Sequence, residues 1–244
     1  MAAASAVPEH KTNQYETASS LIKTRQKILV LTGAGISVNA GIPDFRSKNA
    51  VISEEMFSSK FFCSAPDKFY ATLKELWPKL SAATPTTTHK FIKLLEDQNK
   101  LLGNYTQNID DLEKKVGIKN VFQCHGTCFE AICQKCSKRS EVKDLTADAA
   151  EKCPDCRSFL KPNIVFYDED ARYIKSLSYD ADECDLLIII GTSLKVNPVA
   201  NVLQWIKPEV PIIVINKERI LTMSTENVIE LLGDCDAIVN EIFL

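Results

Sequence analysis

The chain has 244 residues with 29 basic and 32 acidic side chains, a formal net charge of −3 that offers no polybasic field for nucleic acid. No apolar run approaches the roughly 18–20 residues that cross a bilayer, so a membrane is not an expected partner either. With 45% apolar and 25% charged residues, the composition is that of a globular chain long enough to bury a sizeable core.

Residues 1–20 lack the apolar core of a signal peptide and contain no arginine, while Glu9 and Glu16 argue against a mitochondrial presequence. They are expected to form a disordered tail, and the default residence is nuclear or cytoplasmic. A strand is predicted over 27–32 from the run Ile28-Leu29-Val30-Leu31, followed directly by Thr32-Gly33-Ala34-Gly35-Ile36-Ser37. Glycines there permit a tight turn and close approach to a pyrophosphate at a helix N-terminus, which is how a dinucleotide fingerprint opens. Yet Val38 occupies the third glycine position, and Gly41-Ile42-Pro43-Asp44-Phe45-Arg46 then sets an acid, a ring and a guanidinium side by side. A dehydrogenase would place an acid after the second strand, about 20 residues on; Glu54 and Glu55 fall instead in a helical pattern. A dinucleotide would therefore be held differently here.

Helical patterns over 66–77 and 85–97 lead to a strand at 101–106 that ends in Thr106-Gln107-Asn108-Ile109-Asp110. A helix at 109–116 precedes a strand at 120–124, which ends at His125-Gly126. His125 would face the Gln107–Asp110 cluster if those strands are neighbours. An imidazole titrating near ~6.5 is suited to moving a proton at neutral pH, so His125 is the candidate general base.

Cys133-x2-Cys136 and Cys153-x2-Cys156 are sixteen residues apart, the spacing of a tetrathiolate zinc site. Four protein sulfurs leave no open position, so one Zn2+ there would be structural. Its binding energy, on the order of 10–16 kcal/mol in small zinc modules, would fold a segment too polar to fold alone. Disulfides are disfavoured without a secretory signal, and a redox pair without a strand-to-helix setting. Cys63, Cys124, Cys128, Cys184 and Cys235 are expected as small buried hydrophobes.

Strands are also predicted at 163–166, 185–191 and 211–216, and helices at 198–205 and 225–232. The 185–191 strand ends at Gly191-Thr192-Ser193 and the 211–216 strand at Asn216. Leu186-Leu187-Ile188-Ile189-Ile190 is apolar at every position, as strands buried on both faces require. The alternation predicts an α/β fold with a Rossmann-like, doubly wound parallel sheet and ligands at the carboxyl ends of its strands.

GAGIS, GIPDFR, YTQNID, HG, the two CxxC pairs, KPNIVF, GTSL, IN and GDCD stand in the order of the sirtuin family. From about Lys27 onward the chain resembles that family. LLGNYTQNID, TSLKVNPVA and ELLGDCDAIVNE are most similar to its eukaryotic class I deacetylase branch. The resemblance implies an NAD-dependent protein lysine deacetylase or deacylase with NAD as co-substrate and an acyl-lysine protein or peptide as partner. In sirtuins the acyl oxygen attacks the nicotinamide ribose, nicotinamide leaves, and the acyl group departs on ADP-ribose.

By motif match His125 would be the base and Asn108 its catalytic companion. Asn108, Ile109 and Asp110 would hold the ribose and carboxamide, and Gln107 the ribose. Gly33, Ala34, Gly35, Ser37, Gly191, Thr192, Ser193, Asn216 and Cys235 would line the rest of the cofactor. Asp44, Phe45 and Arg46 would form the nicotinamide end. Val165, Phe166 and Tyr167 would pair with the peptide backbone, a mode that reads backbone more than sequence. The expected organisation is a Rossmann-like NAD-binding domain of residues 21–46, 85–125 and 163–244. A helical module with a shortened cofactor loop, 47–84, and a zinc-binding module, 126–162, interrupt it.

The chain departs from the family in its loops. Only Lys48 to Ser53 stand where a longer loop with a glycine and a tyrosine is usual, which should weaken cofactor binding or slow turnover. Tyr167-Asp168-Glu169 replaces the usual Phe-Gly-Glu. The segment that follows is slightly short. The Tyr-x-x-Arg of the desuccinylase branch is absent, since Leu73 stands three residues after Tyr70, so acetyl or a longer neutral acyl group is favoured over an acidic one. A degenerate sirtuin that binds NAD or acyl-peptide without turnover, or a mono-ADP-ribosyltransferase, are the alternatives.

Overall fold

The computed structural model describes residues 9–43, 54–145, 152–220 and 227–243. Helix α1 spans Glu9–Thr24, strand β1 Ile28–Thr32, and a 3-10 helix Ala34–Ala40. A short 3-10 turn, Glu54–Phe57, precedes α2 (Ser59–Ser64), α3 (Pro66–Ala82) and α4 (Thr87–Asp97). Then come β2 (Leu101–Thr106), α5 (Leu112–Lys115), β3 (Val121–Gln123), β4 (Gly126–Cys133), β5 (Arg139–Glu141) and β6 (Leu160–Ile164). The chain continues through α6 (Ile174–Glu183), β7 (Leu186–Ile190), a 3-10 turn Val199–Asn201 and α7 (Val202–Trp205). It closes with β8 (Ile212–Asn216), β9 (Val228–Leu232) and α8 (Cys235–Phe243).

Six strands form one sheet in the order β3-β2-β1-β7-β8-β9, every pair parallel. Strand alternation sorts its side chains onto two cores. Ile28, Val30, Ile188, Ile190, Ile213 and Ile215 face α1, α4 and α8 through Ile22, Phe91, Ile92, Ile238 and Val239. Leu29, Leu31, Leu187, Ile189 and Val214 face α6 and α7 through Leu177, Ala181 and Val202. Both faces are covered, as an all-parallel sheet requires, and the order reverses between β1 and β7, where such folds bind ligands.

Three expectations change. Residues 9–20 are not a tail: they belong to α1, which seats Ala18 and Ile22, four apart on one helical face, in the core. The 225–232 pattern is not a helix. Val228–Leu232 is the edge strand β9, because Val228, Ile229 and Leu231 suit a half-buried strand as well as a helical stripe. The run at 163–166 does not join the parallel sheet; β6 pairs antiparallel with β4, and β5-β4-β6 form a separate three-stranded sheet.

That small sheet and the α2–α3 helices share one apolar core. Phe62, Phe69, Leu73, Trp77 and Leu80 pack with Cys128, Ala131, Leu160, Ile164 and Phe166. Tyr70 donates its hydroxyl proton to the Leu160 carbonyl across the same seam. Segments expected as two modules are thus packed into one body.

Candidate functional site

The carboxyl ends of β1, β2, β3, β7 and β8 meet at a cleft of about 840 Å³. Ala34, Gly35, Gln107, Asn108, Ile109, His125, Gly191, Thr192, Ser193, Asn216 and Cys235 line it. Val165, Phe166 and Tyr167 form its opposite wall with Phe57 and Ile164. Gly33, Ser37 and Asp110 stand directly behind that lining. Asp44, Phe45, Arg46 and the shortened loop lie outside the described residues.

The two glycines serve loop packing before anything else. A Cβ on Gly33 would lie 2.7 Å from Thr192 Cβ, and one on Gly35 2.6 Å from Gly191 Cα. Gly35 donates its N–H to the Gly191 carbonyl at 2.8 Å, and Gly191 takes a positive φ of 65° to receive it. The β1 and β7 loops therefore meet backbone to backbone. The helix they open is a 3-10 helix, ending at Gly41 in the left-handed region. Val38, in the third glycine's place, lines the cleft.

Around β2 the polar groups form a relay. Asn108 Nδ2 donates to the Gly33 carbonyl and to Ser37 Oγ, both at 3.2 Å. Ser37 Oγ donates to Asp110 Oδ2 at 2.7 Å, and Leu112 N–H donates to Asp110 Oδ1 at 3.0 Å. Burial pushes the Asp110 carboxyl above its ordinary value, with Ser37 and the Leu112 N–H opposing. His125 Nδ1 lies 2.9 Å from the Gln107 carbonyl. A carbonyl only accepts, so that contact places the proton on Nδ1 and leaves Nε2 as the basic nitrogen.

Gln107 Oε1 accepts from Thr192 Oγ1 at 2.7 Å, while its buried Nε2 has no partner among the described residues. An unspent donor on a cleft-lining side chain suits a polar ligand such as a ribose hydroxyl. Opposite, the N–H groups of Val165, Phe166 and Tyr167 are engaged by the His125 carbonyl, Glu169 Oε2 and the Phe57 carbonyl. Backbone pairing at this wall would use its carbonyl oxygens. The loops after β7, β8 and β9 also carry Lys195, Asn197, Lys217 and Asp234 into the cleft lining, residues that the sequence reading did not single out. All four follow sheet strands, the signal that could have found them.

Away from the cleft, Cys133, Cys136, Cys153 and Cys156 bring their sulfurs within 4.8 Å of one another. The Cys133–Cys156, Cys136–Cys153 and Cys136–Cys156 separations are 3.4, 3.7 and 3.8 Å. Four sulfurs at the usual Zn–S length of about 2.3 Å stand about 3.8 Å apart at tetrahedral corners, so the set fits zinc. The Lys135 and Cys136 N–H groups also point at Cys133 Sγ. Of the remaining cysteines, Cys124, Cys128, Cys184 and Cys235 are buried as expected, but Cys63 is exposed. Burial pushes the Cys124, Cys184 and Cys235 thiols up to about 12, so they are inert as nucleophiles.

The family model described as Sir2 family matches residues 33–198, which include the relay, the histidine and all four metal-type cysteines. The chain belongs to the Sir2 family. The NAD-dependent protein deacetylase sir-2.1 of Caenorhabditis briggsae is 40% identical over 248 residues, covering 94% of this chain and 40% of that protein. The NAD-dependent protein deacetylase sirtuin-1 of Homo sapiens is 40% identical over 253 residues, covering 94% and 33%. This Sir2 chain thus spans less than half the length of these relatives. Among solved structures, Sir2 with a deacetylated p53 peptide and 3′-O-acetyl ADP ribose superposes with a TM-score of 0.85 at 28% identity. That match covers 93% of this chain and 96% of the other. A Sir2 homolog–NAD complex gives 0.83 at 28% identity, covering 93% and 91%.

Proposed function

We propose that the protein is an NAD-dependent protein lysine deacetylase or deacylase that consumes NAD. The observation that carries this reading is His125, its tautomer fixed by the Gln107 carbonyl on Nδ1, in one cleft with the Asn108–Ser37–Asp110 relay. When bound, NAD supplies an electrophilic ribose carbon with nicotinamide as its leaving group. His125 accepts a proton from a ribose hydroxyl at Nε2, and the Gln107 carbonyl on Nδ1 holds the ring in the productive tautomer. Asn108, fixed by Gly33 and Ser37, orients the ribose, and Gln107 Nε2 donates to it. Ile109 and Asp110 receive the nicotinamide end, where Asp44, Phe45 and Arg46 complete the site. Ala34, Gly35, Gly191, Thr192, Ser193, Asn216 and Cys235 hold the diphosphate and adenosine.

The acyl-lysine peptide lies along Val165–Tyr167, its acyl chain against the apolar Ile164, Phe166 and Phe57. Tyr70 is not at that wall; it is buried against Leu160, so an acidic acyl group meets neither the tyrosine nor an arginine of the desuccinylase type. One structural zinc on the four cysteines folds the module of residues 126–162. The Rossmann-like segments 21–46, 85–125 and 163–244 build the cleft together with the module 47–84. Nuclear or cytoplasmic residence fits nine unpaired cysteines, which reducing compartments maintain. Among the described residues no helix is long and apolar enough to cross a membrane.

Incubation with NAD and an acetyl-lysine peptide is expected to release nicotinamide in step with deacetylation, and His125→Ala to lower kcat by about 100-fold or more. NAD binding without nicotinamide release would instead mark a binding module, and label passing from NAD to protein a mono-ADP-ribosyltransferase.

A further inference from the structure

Glu113 is the one carboxylate of α5 turned into the protein, 1% exposed, directly beneath the Asn108–Asp110 wall. One ring nitrogen of His89 from α4 and one oxygen each of Asp110 and Glu113 lie within 4.8 Å of one another, all three residues buried. His89 sits at the third position of α4, where its Nδ1 accepts the Thr86 N–H at 3.2 Å. A neutral ring used in that way carries its proton on Nε2. His89 Nε2 has no hydrogen-bond partner among the described residues, and neither does either oxygen of Glu113. The Thr106 hydroxyl is near enough to favour the charged form of Glu113 but does not close a bond of normal geometry. A buried imidazole with an unpartnered nitrogen beside two buried carboxyls is a costly arrangement unless a proton is shared among them.

Building on the NAD reading above, we propose that Glu113 is a positioning residue. With His89 and one shared proton it holds Asp110 against Ser37, and so keeps the Asn108–Asp110 wall in the shape that receives the nicotinamide end of NAD. The charged groups around it agree. Asp110 and Asp111 on the same turn repel a second negative charge, and among the described residues no cation offsets them at Glu113. Lys115 acts on Asp110, but its ammonium is spent on the Leu80, Ser81 and Ala83 carbonyls. From α8, Asp236 acts on His89, yet burial dominates and pushes that imidazole down to about 4, so it stays neutral. Burial first, then Asp110, pushes the Glu113 carboxyl up to about 8. At neutral pH the pair thus carries one proton. Above pH 8 it is lost, two buried carboxylates repel each other, and Asp110 is driven from its seat.

The linkage has a definite sign. Its carboxyl binds the proton more tightly in the folded chain than in the unfolded one. Glu113 therefore favours the fold at low pH, and that contribution falls as pH climbs from the ordinary carboxylate range to about 8.

The test measures NAD affinity by calorimetry and kcat/KM for NAD from pH 6.5 to 9.5, in the full chain and in Glu113→Gln. Wild type is expected to lose about tenfold in both per pH unit beyond 8, whereas Glu113→Gln, which stays uncharged, changes by less than about twofold over the range. Thermal unfolding provides a readout without NAD: Glu113→Gln should raise Tm relative to wild type at pH 8.5 and not at pH 5.5. Glu113→Met, apolar and of similar length, should also lose the alkaline fall, but with a KM for NAD about tenfold higher at pH 7 because Asp110 loses the shared proton and keeps only Ser37 and the Leu112 N–H. An alkaline fall unchanged in Glu113→Gln, together with equal Tm shifts at both pH values, overturns the proposal. Wild type that binds no NAD at any pH, while the Tm shifts follow the expected pattern, sinks the NAD reading and the role given to Asp110, and leaves only the shared proton.

Discussion

Gly35 has no room for a methyl group, and the atoms it would strike are backbone. A Cβ there would meet Gly191 Cα at 2.6 Å and the Gly191 carbonyl oxygen at 2.9 Å, neither of which can rotate away. Gly35→Ala is expected to cost about 1–3 kcal/mol by overpacking and to open the β1–β7 crevice, abolishing NAD binding. Gly41→Ala is the matched control: its φ of 85° is unfavourable but open space surrounds it, so it should cost about 1 kcal/mol and leave NAD affinity intact. Denaturant melts and calorimetry on both variants check this; equal NAD affinity in the two would refute it. Side chains that follow a strand, such as His125 and the Gln107–Asp110 group, were legible because strand ends in a parallel sheet converge. His89 and Glu113 were not, since a helical pattern does not disclose which of its polar residues turns inward. That depends on α4 and α5 packing together across 24 residues of chain.

Among elements, the parallel strands were legible from unbroken apolar runs, whereas α1 and β9 were misread for opposite reasons. Ala18 and Ile22 are a sparse stripe in a polar segment, and only the sheet face they cover makes a helix of it. Val228, Ile229 and Leu231 satisfy both helical and strand spacing over a length too short to separate the periods. The departure at Asp168 has a structural role that its position alone did not reveal. Its two carboxylate oxygens accept the Ser59 N–H at 2.9 and 3.1 Å, at the first turn of α2. That bond, helped by the Lys161 ammonium, holds the Asp168 carboxyl below its ordinary value. Tyr167 N–H bonds the Phe57 carbonyl alongside, so the peptide wall and the segment following the short loop are tied together twice. Asp168→Gly should release the Ser59 amide to faster hydrogen exchange and raise KM for the peptide. Asp168→Asn, which can still accept, should do neither. Exchange rates identical in the glycine and asparagine variants would show that the tie is idle.

At the scale of the molecule, the zinc module is not an appendage. Its sheet shares a core with α2 and α3, and Phe166 joins that core to the cleft, stacking edge-on against Phe57 and Phe69 with centroids 6.3 and 5.5 Å away. A tetrathiolate metal would supply folding energy that β4, β5 and β6 cannot raise from so polar a segment, so its loss should spread along the shared core to the peptide wall. The parallel sheet has two cores of its own and should survive. Trp77 reports on the difference, being 4% exposed with its ring 5.0 Å from Phe129 in the zinc-side core, while Trp205 lies by the sheet. In a Trp205→Phe background, a strong chelator should shift the emission of Trp77 to longer wavelength and abolish peptide binding, while far-ultraviolet dichroism of the sheet domain largely persists. Zinc alone, added back under reducing conditions, should reverse both changes. An emission maximum that does not move when the metal leaves would mean that the helices hold their core without the zinc sheet, and that the cleft is built by the Rossmann-like domain alone.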